Sequence, residues 1–258
     1  MTAFPPALPH GELVEVFPGI WPGIWPGVRS GVRSGIWQVT GESRPSFGGL
    51  DWCFSRNMTV FVEGGDLVLV NTVRLDDRGL ARLESLGRVA HVLRIGAWHG
   101  RDDAFYVDRY GAAFWAMEGL EDERGAVVSR RLVPGGAVPV ADASIFRFEA
   151  GRAAEGLLFV DRHGGILVSC DSLQNWEAPD RWFDEVSRER MAAAGFFRRA
   201  NVGPGFLGGS GVPVSDFAGD FERILALPFS HLLSAHGTPL AGAREALAAT
   251  FRALGHGG

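Results

Sequence analysis

Two stretches, "NMTVFVEGGDLVLVNTV" (57–73) and "EGLLFVDRHGGILVSCD" (155–171), constrain this chain's fold more than any other feature. Each sets two apolar runs of strand length around a glycine-containing turn, the pattern of a β-hairpin. Between them, "DDRGLARLESLG" (76–87) places Leu80, Leu83 and Leu86 on one helical face, opened by acidic residues and closed by glycine. "VAHVLRI" (89–95) reads as a buried strand, with His91 a packed core histidine. Short β-like runs follow over 126–148 ("AVVSRRLV", "AVPVA", "SIFRF"). His163 falls in the turn of the second hairpin, exposed and inert. Helices are expected over 179–197, from Ser215 to 227, and over 241–254. Hairpins mixed with covering helices imply sheets packed together with helices outside, an α/β or α+β class.

At 258 residues the chain can bury a large core, and it reads as a single domain, 1–258. A formal charge of −5 with no basic tail argues against nucleic acid or an anionic membrane as partner. All 25 cationic residues are arginine, so a Schiff-base or P-loop lysine is excluded. No apolar run reaches the roughly 20 residues that span a bilayer. The N-terminus "MTAFPPALPHGELVEVF" shows neither a basic nor an apolar leader region, so a cytoplasmic location is expected. Cys53 and Cys170 form neither a ligand pair nor a disulfide framework. Residues 18–37, "PGIWPGIWPGVRSGVRSGIW", repeat a four-residue unit five times, far below the period of stacking repeats. This segment reads as a low-complexity insertion in a loop or hairpin.

Chemistry is concentrated in three loops, each following an apolar strand: "WHGRDD" (98–103), "SCDSLQNW" (169–176) and "SAHGTP" (234–239). A hydrolytic metal site needs imidazoles and carboxylates converging from separate loops, with a position open for water. His99, Asp103, Asp171 and His236 supply those residue types. Each alone is weak, because an aspartate after a strand more often caps a turn or helix. Cys170 beside Asp171 reads as core packing rather than a nucleophile. "GGSGV" (208–212) lacks the second glycine of a nucleophile elbow. "GPGFLGGSG" (203–211) reads as a flexible loop over the site, and Arg198 and Arg199 as a solvated helix end. Trp98, Trp115, Trp176 and Trp182 are candidates for pocket walls, with core packing the default for most.

In the order of these elements, and in "WHGRDDA", "GGILVSCDSLQNW" and "LLSAHGTPL", the chain resembles the metallo-β-lactamase superfamily over roughly residues 36–254. The resemblance implies a four-layer αββα sandwich and a metal centre. Against the family's first motif, His-x-His-x-Asp-His, His99 matches the first histidine and Asp103 the aspartate. Arg101 and Ala104 stand where the other histidines belong. The Gly-His motif aligns with Gly151-Arg152, arginine again replacing histidine. Asp171 matches the bridging aspartate and His236 the last histidine. Asp102 replaces Asp103 if the loop register differs by one residue.

Arginine stays protonated and has no lone pair for a cation. The resemblance therefore implies loss of a dinuclear site, leaving two alternatives. One is a mononuclear hydrolase with one zinc (or iron or manganese) on Asp103, Asp171 and His236, with or without His99, where Asp103 and Asp171 carry the catalysis. Arg101 and Arg152 would bind a substrate anion. The other is a non-catalytic ligand-binding or interaction protein in which Arg–Asp pairs replace the metal. In both, the ligand is a small molecule that the sequence does not name.

Overall fold

The computed structural model describes residues 4–18, 35–122 and 124–255. Strands β1 (Val14–Pro18) and β2 (Gly35–Ser43) lead to a small ribbon, β3 (Ser46–Phe47) and β4 (Leu50–Asp51), and then to β5 (Phe54–Glu63) and β6 (Asp66–Val70). Next come α1 (Asp77–Glu84), β7 (Arg88–Arg94), α2 (Asp103–Tyr110), β8 (Ala113–Met117), β9 (Arg130–Leu132) and β10 (Ala143–Arg147). Strands β11 (Gly156–Val160), β12 (Ile166–Ser169) and β13 (Leu173–Trp176) precede α3 (Glu185–Ala193), β14 (Arg198–Val202) and α4 (Pro204–Gly209). The chain continues through α5 (Ala218–Ala226), β15 (His231–Ser234), β16 (Leu240–Ala241) and α6 (Ala243–Ala253).

These elements form a mixed α/β fold around two principal sheets. One has seven strands in the order β1-β2-β5-β6-β7-β8-β9, and the other has five in the order β10-β11-β12-β15-β16. The first expected hairpin is β5–β6, turning through Gly64 and Gly65 at φ 62° and 99°, values a side chain would resist. The second is β11–β12. From β6 onward the first sheet is parallel, which brings the C-terminal ends of β6 and β7 to the same edge.

Alternation along the second sheet shows how it is covered. Leu158, Val160, Val168 and Leu233 join the cluster that includes Val60, Leu69 and Val92 of the first sheet. Their neighbours Leu157, Phe159, Leu167 and Leu232 join Phe221, Leu247 and Phe251 of α5 and α6 instead. Successive strand residues point to opposite faces, so this sheet packs on its companion by one face and beneath two helices by the other. Helix α1 adds Leu80 and Leu83 to the first cluster, and Asp76 caps it by accepting the Gly79 N–H at 2.7 Å.

Several boundaries differ from those expected. The 179–197 helix is only α3, because Asp184 caps its start and Gly195 (φ 77°) turns the chain into β14. Of the β-like runs over 126–148, β9 and β10 form and "AVPVA" does not. Residues 203–211 contain the short helix α4 with Pro204 in its first turn, not a loop. Ser215 lies in a 3-10 turn ahead of α5. His163 is half-buried, its ring 4.9 Å from Phe17. Most of the 18–37 repeat lies outside the described residues; within it, Pro18 and Gly35 are antiparallel partners. Among the described residues no helix is long and apolar enough to cross a membrane.

The loop after β15 carries a sharp local constraint. Asn175 N donates to the His236 carbonyl at 3.1 Å, and Thr238 N donates to the Asn175 carbonyl at 3.0 Å. Gly237, between them at φ 88°, passes so close that a Cβ would run into the Asn175 carbonyl oxygen. Gly237→Ala is expected to cost about 2 kcal/mol or more, from left-handed strain and this clash together. Urea denaturation checks it, and a midpoint equal to the parent's would contradict the account.

Candidate metal centre

Three loops at one edge of the paired sheets deliver the potential ligands. His99 follows β7, Asp171 follows β12 and His236 follows β15. Their ligand atoms lie within 4.8 Å of one another. His236 Nε2 stands 2.9 Å from His99 Nε2 and 3.1 Å from Asp171 Oδ1, while His99 Nε2 is 3.4 Å from Asp171 Oδ2. Both histidines are buried, and His236 is walled by Trp176, ring centroids 4.7 Å apart.

Hydrogen bonding sets the chemistry of this trio. His236 Nδ1 is 3.2 Å from the Ser55 carbonyl, which only accepts, so Nδ1 carries a proton and donates it there. Burial pulls the His99 imidazole towards neutrality. Burial also pushes the Asp171 carboxyl upward, but the two imidazoles outweigh it and hold that carboxyl well below the usual range. His99 Nδ1 is buried without a hydrogen-bond partner. Two imidazoles and an ionised carboxylate whose ligand atoms converge form a set that a divalent cation fits. The Ser55 carbonyl orienting His236 is the outer support that such a ligand needs.

Asp171 is positioned through its backbone. The Asp171 and Ser172 N–H groups donate to Glu155 Oε1 at 3.0 and 2.9 Å. Glu155 is 1% exposed, and burial, reinforced by the Asp171 charge, pushes its carboxyl well above the usual range.

Asp103, expected as a ligand, stands outside the trio. It begins α2 fully buried, and Thr72 Oγ1 donates to its Oδ1 at 2.6 Å. Asp102, the alternative in the other register, is taken by Arg56, by the Arg74 N–H at 2.9 Å and, more loosely, by Arg101 Nε at 3.9 Å. An Arg–Asp pair beside the site therefore exists, but between residues other than those expected. Arg152 pairs with neither Asp103 nor Asp171; its backbone N–H donates to the Ser210 carbonyl at 2.9 Å and its stem lies along Gly211. Arg101 does reach the site, lining a cavity of about 640 Å³ onto which the trio opens.

Of the four tryptophans considered, Trp98 and Trp176 line this cavity. Trp115 instead donates its indole N–H to His91 at 3.2 Å, and Trp182 stacks under Arg181. Arg199 faces Glu177 at 3.8 Å on the surface. Sequence reasoning missed Arg56, Thr72, Glu155 and Trp52. Only Arg56 carries a signal, as a cation opening an otherwise apolar strand in "FSRNMTVFV".

With this geometry, the chain is similar in structure to metallo-β-lactamases. The DIM-1 metallo-β-lactamase superposes with a TM-score of 0.60 at 12% identity, over 96% of this chain and 99% of that one. VMB-1 gives 0.59 at 12% identity, covering 85% and 91%. A metallo-β-lactamase from Pontibacter korlensis gives 0.54 at 11% identity, covering 86% and 95%. Identities this low carry the fold and not the activity. No protein-family model matches the sequence, and the search of curated proteins found no match.

Asp103 generates a pH prediction. Burial raises its carboxyl to about 7 in the folded chain, above its unfolded value near 3.8. The folded state thus binds the extra proton, so this stabilisation is complete below pH 4 and is lost as pH rises through 7, by about 1.4 kcal/mol per pH unit at most. Asp103→Asn keeps an acceptor for Thr72 and removes the titration. Its stability relative to the parent should rise between pH 4 and 7 in chemical denaturation, and a constant difference would refute the assignment.

Proposed function

We propose that the chain is a hydrolase working with one divalent cation on His99, Asp171 and His236, zinc being the ion best suited to two imidazoles and a carboxylate. The observation that carries this is the convergence of three ligand atoms within 4.8 Å, all from strand-end loops and opening on one cavity. Such an ion, when bound, supplies Lewis acidity towards water and the bond to be broken. His236 is held in the required tautomer by Ser55, and Asp171 by the grip of Glu155 on its backbone. Arg101, in the cavity wall, offers a guanidinium to negative charge that develops on the reacting group. Asp103 has no direct part, which departs from the role its place in the sequence gave it.

A second reading, a non-catalytic binder, draws on the Arg56–Asp102 pair, in which a guanidinium beside the site already serves a carboxylate as its cation. Metal content separates the two. Protein purified without chelator and dialysed against zinc is expected to hold about one equivalent per chain. His99→Ala, Asp171→Ala and His236→Ala should each lose it, and Asp103→Asn should retain it. Esters, thioesters, lactams and phosphoesters are then screened with the loaded protein. Absence of metal after zinc dialysis would overturn the hydrolase reading in favour of the binder.

A further inference from the structure

The cavity has an unusual balance of charge. Among the described residues lining it, Arg44, Arg56, Arg101 and Arg124 are cationic, while Asp171 is the single carboxylate. Asp171 is engaged by the two histidines. Arg56 is neutralised by Asp102, and Arg44 pairs with Glu42. Arg101 and Arg124 remain. The nearest carboxylate to Arg101 is Asp102, at 3.9 Å, beyond hydrogen-bond reach and already held by Arg56. Arg124 makes no ion pair with any described residue. Both guanidiniums line the one cavity.

The aromatic lining is equally one-sided. Phe47 and Trp98 are the strongly exposed aromatic side chains among the described residues, at 51% and 49%, and both line this cavity. Phe47 stacks on Trp52 across the β3–β4 ribbon, centroids 4.8 Å apart and planes 10° from parallel. Trp98 rests against α4 at Gly209, where a Cβ would come within 2.9 Å of its ring. Exposed apolar rings gathered at one mouth mark a surface that a ligand covers.

We propose that this cavity binds an amphipathic small anion, its oxyanion head (carboxylate or phosphoryl) at Arg101 and Arg124 and its aryl body between the Phe47–Trp52 stack and Trp98. Planar guanidiniums with no carboxylate in hydrogen-bond reach bind oxyanions through charge-assisted, often forked hydrogen bonds. The aromatic walls take up the ligand's apolar surface. The inference deepens the hydrolase reading by naming its substrate class, and it rests on that reading only for turnover of the bound anion.

Calorimetric titration of chelator-treated protein tests it, with 2-naphthoate, 2-naphthyl phosphate and neutral 2-naphthamide as probes. At least one anion is expected to bind about tenfold or more tighter than the amide, and the tighter of the two identifies the head group. Arg101→Gln with Arg124→Gln should abolish that preference while leaving amide affinity unchanged. Phe47→Ala or Trp98→Ala should weaken all three probes. Equal binding of amide and anions, or a preference that survives the double arginine variant, would overturn the proposal. The titration uses metal-free protein, so it can succeed when zinc loading fails, and the two ideas stand or fall separately.

Discussion

The site depends on how two sheets with no shared ladder are held in register at one edge. Their interface is apolar, and hydrophobic contact fixes no direction. Direction comes from asparagines. Asn57, in β5, donates its side-chain amide to the Ser234 and Gly237 carbonyls at 2.9 and 2.6 Å, and its backbone N–H to the Ala235 carbonyl at 2.8 Å. Thr40 fixes the orientation of that amide by donating to its oxygen at 2.7 Å. Asn71, after β6, donates to the Ser169 carbonyl at 2.9 Å. Thus the loops bearing His236 and Asp171 are both stitched to the sheet that bears His99. Rigid loop placement of this kind is what a site with ångström tolerances requires.

Neighbouring acids in one loop take opposite roles here. Asp102 faces a guanidinium and a backbone N–H, while Asp103, one residue on, faces the Thr72 hydroxyl deep in the core. The start of α2 separates them, because the helical turn sends successive side chains in different directions. Glu155 repeats the second pattern, a buried carboxyl used for its acceptor oxygen and not for its charge. Asp102, Asp103 and Glu155 therefore serve as framework, and Asp171 supplies the trio's own carboxylate.

Much of the fold was legible because strand-length apolar runs and glycine turns are local signals. Both hairpins, α1 and α6 and the strand leading to His99 lie close to where the pattern set them. The α3 boundary was not legible, since Asp184 and Asp180 are equally good caps in sequence and packing chooses between them. Of the candidate ligands, His99, Asp171 and His236 come together as their strand-end positions implied. Asp103 does not, because the register of a helix start decides which partner each of two adjacent buried aspartates meets, and "RDD" holds no clue to it. Arg56 and Glu155 escaped notice for another reason. Each acts through a partner distant in the chain (Arg56 on Asp102, Glu155 on the Asp171 backbone), and no local pattern marks such pairs.

The Arg56 guanidinium differs from a metal ion in one respect that matters for a cell. An ion is borrowed from solution, so its presence follows supply, competition and chelation. A buried guanidinium is encoded: it arrives with translation and cannot be removed without mutation. Part of the charge balance beside this site is consequently permanent: Asp102 keeps its counter-charge whether the surroundings are rich in metal or starved of it.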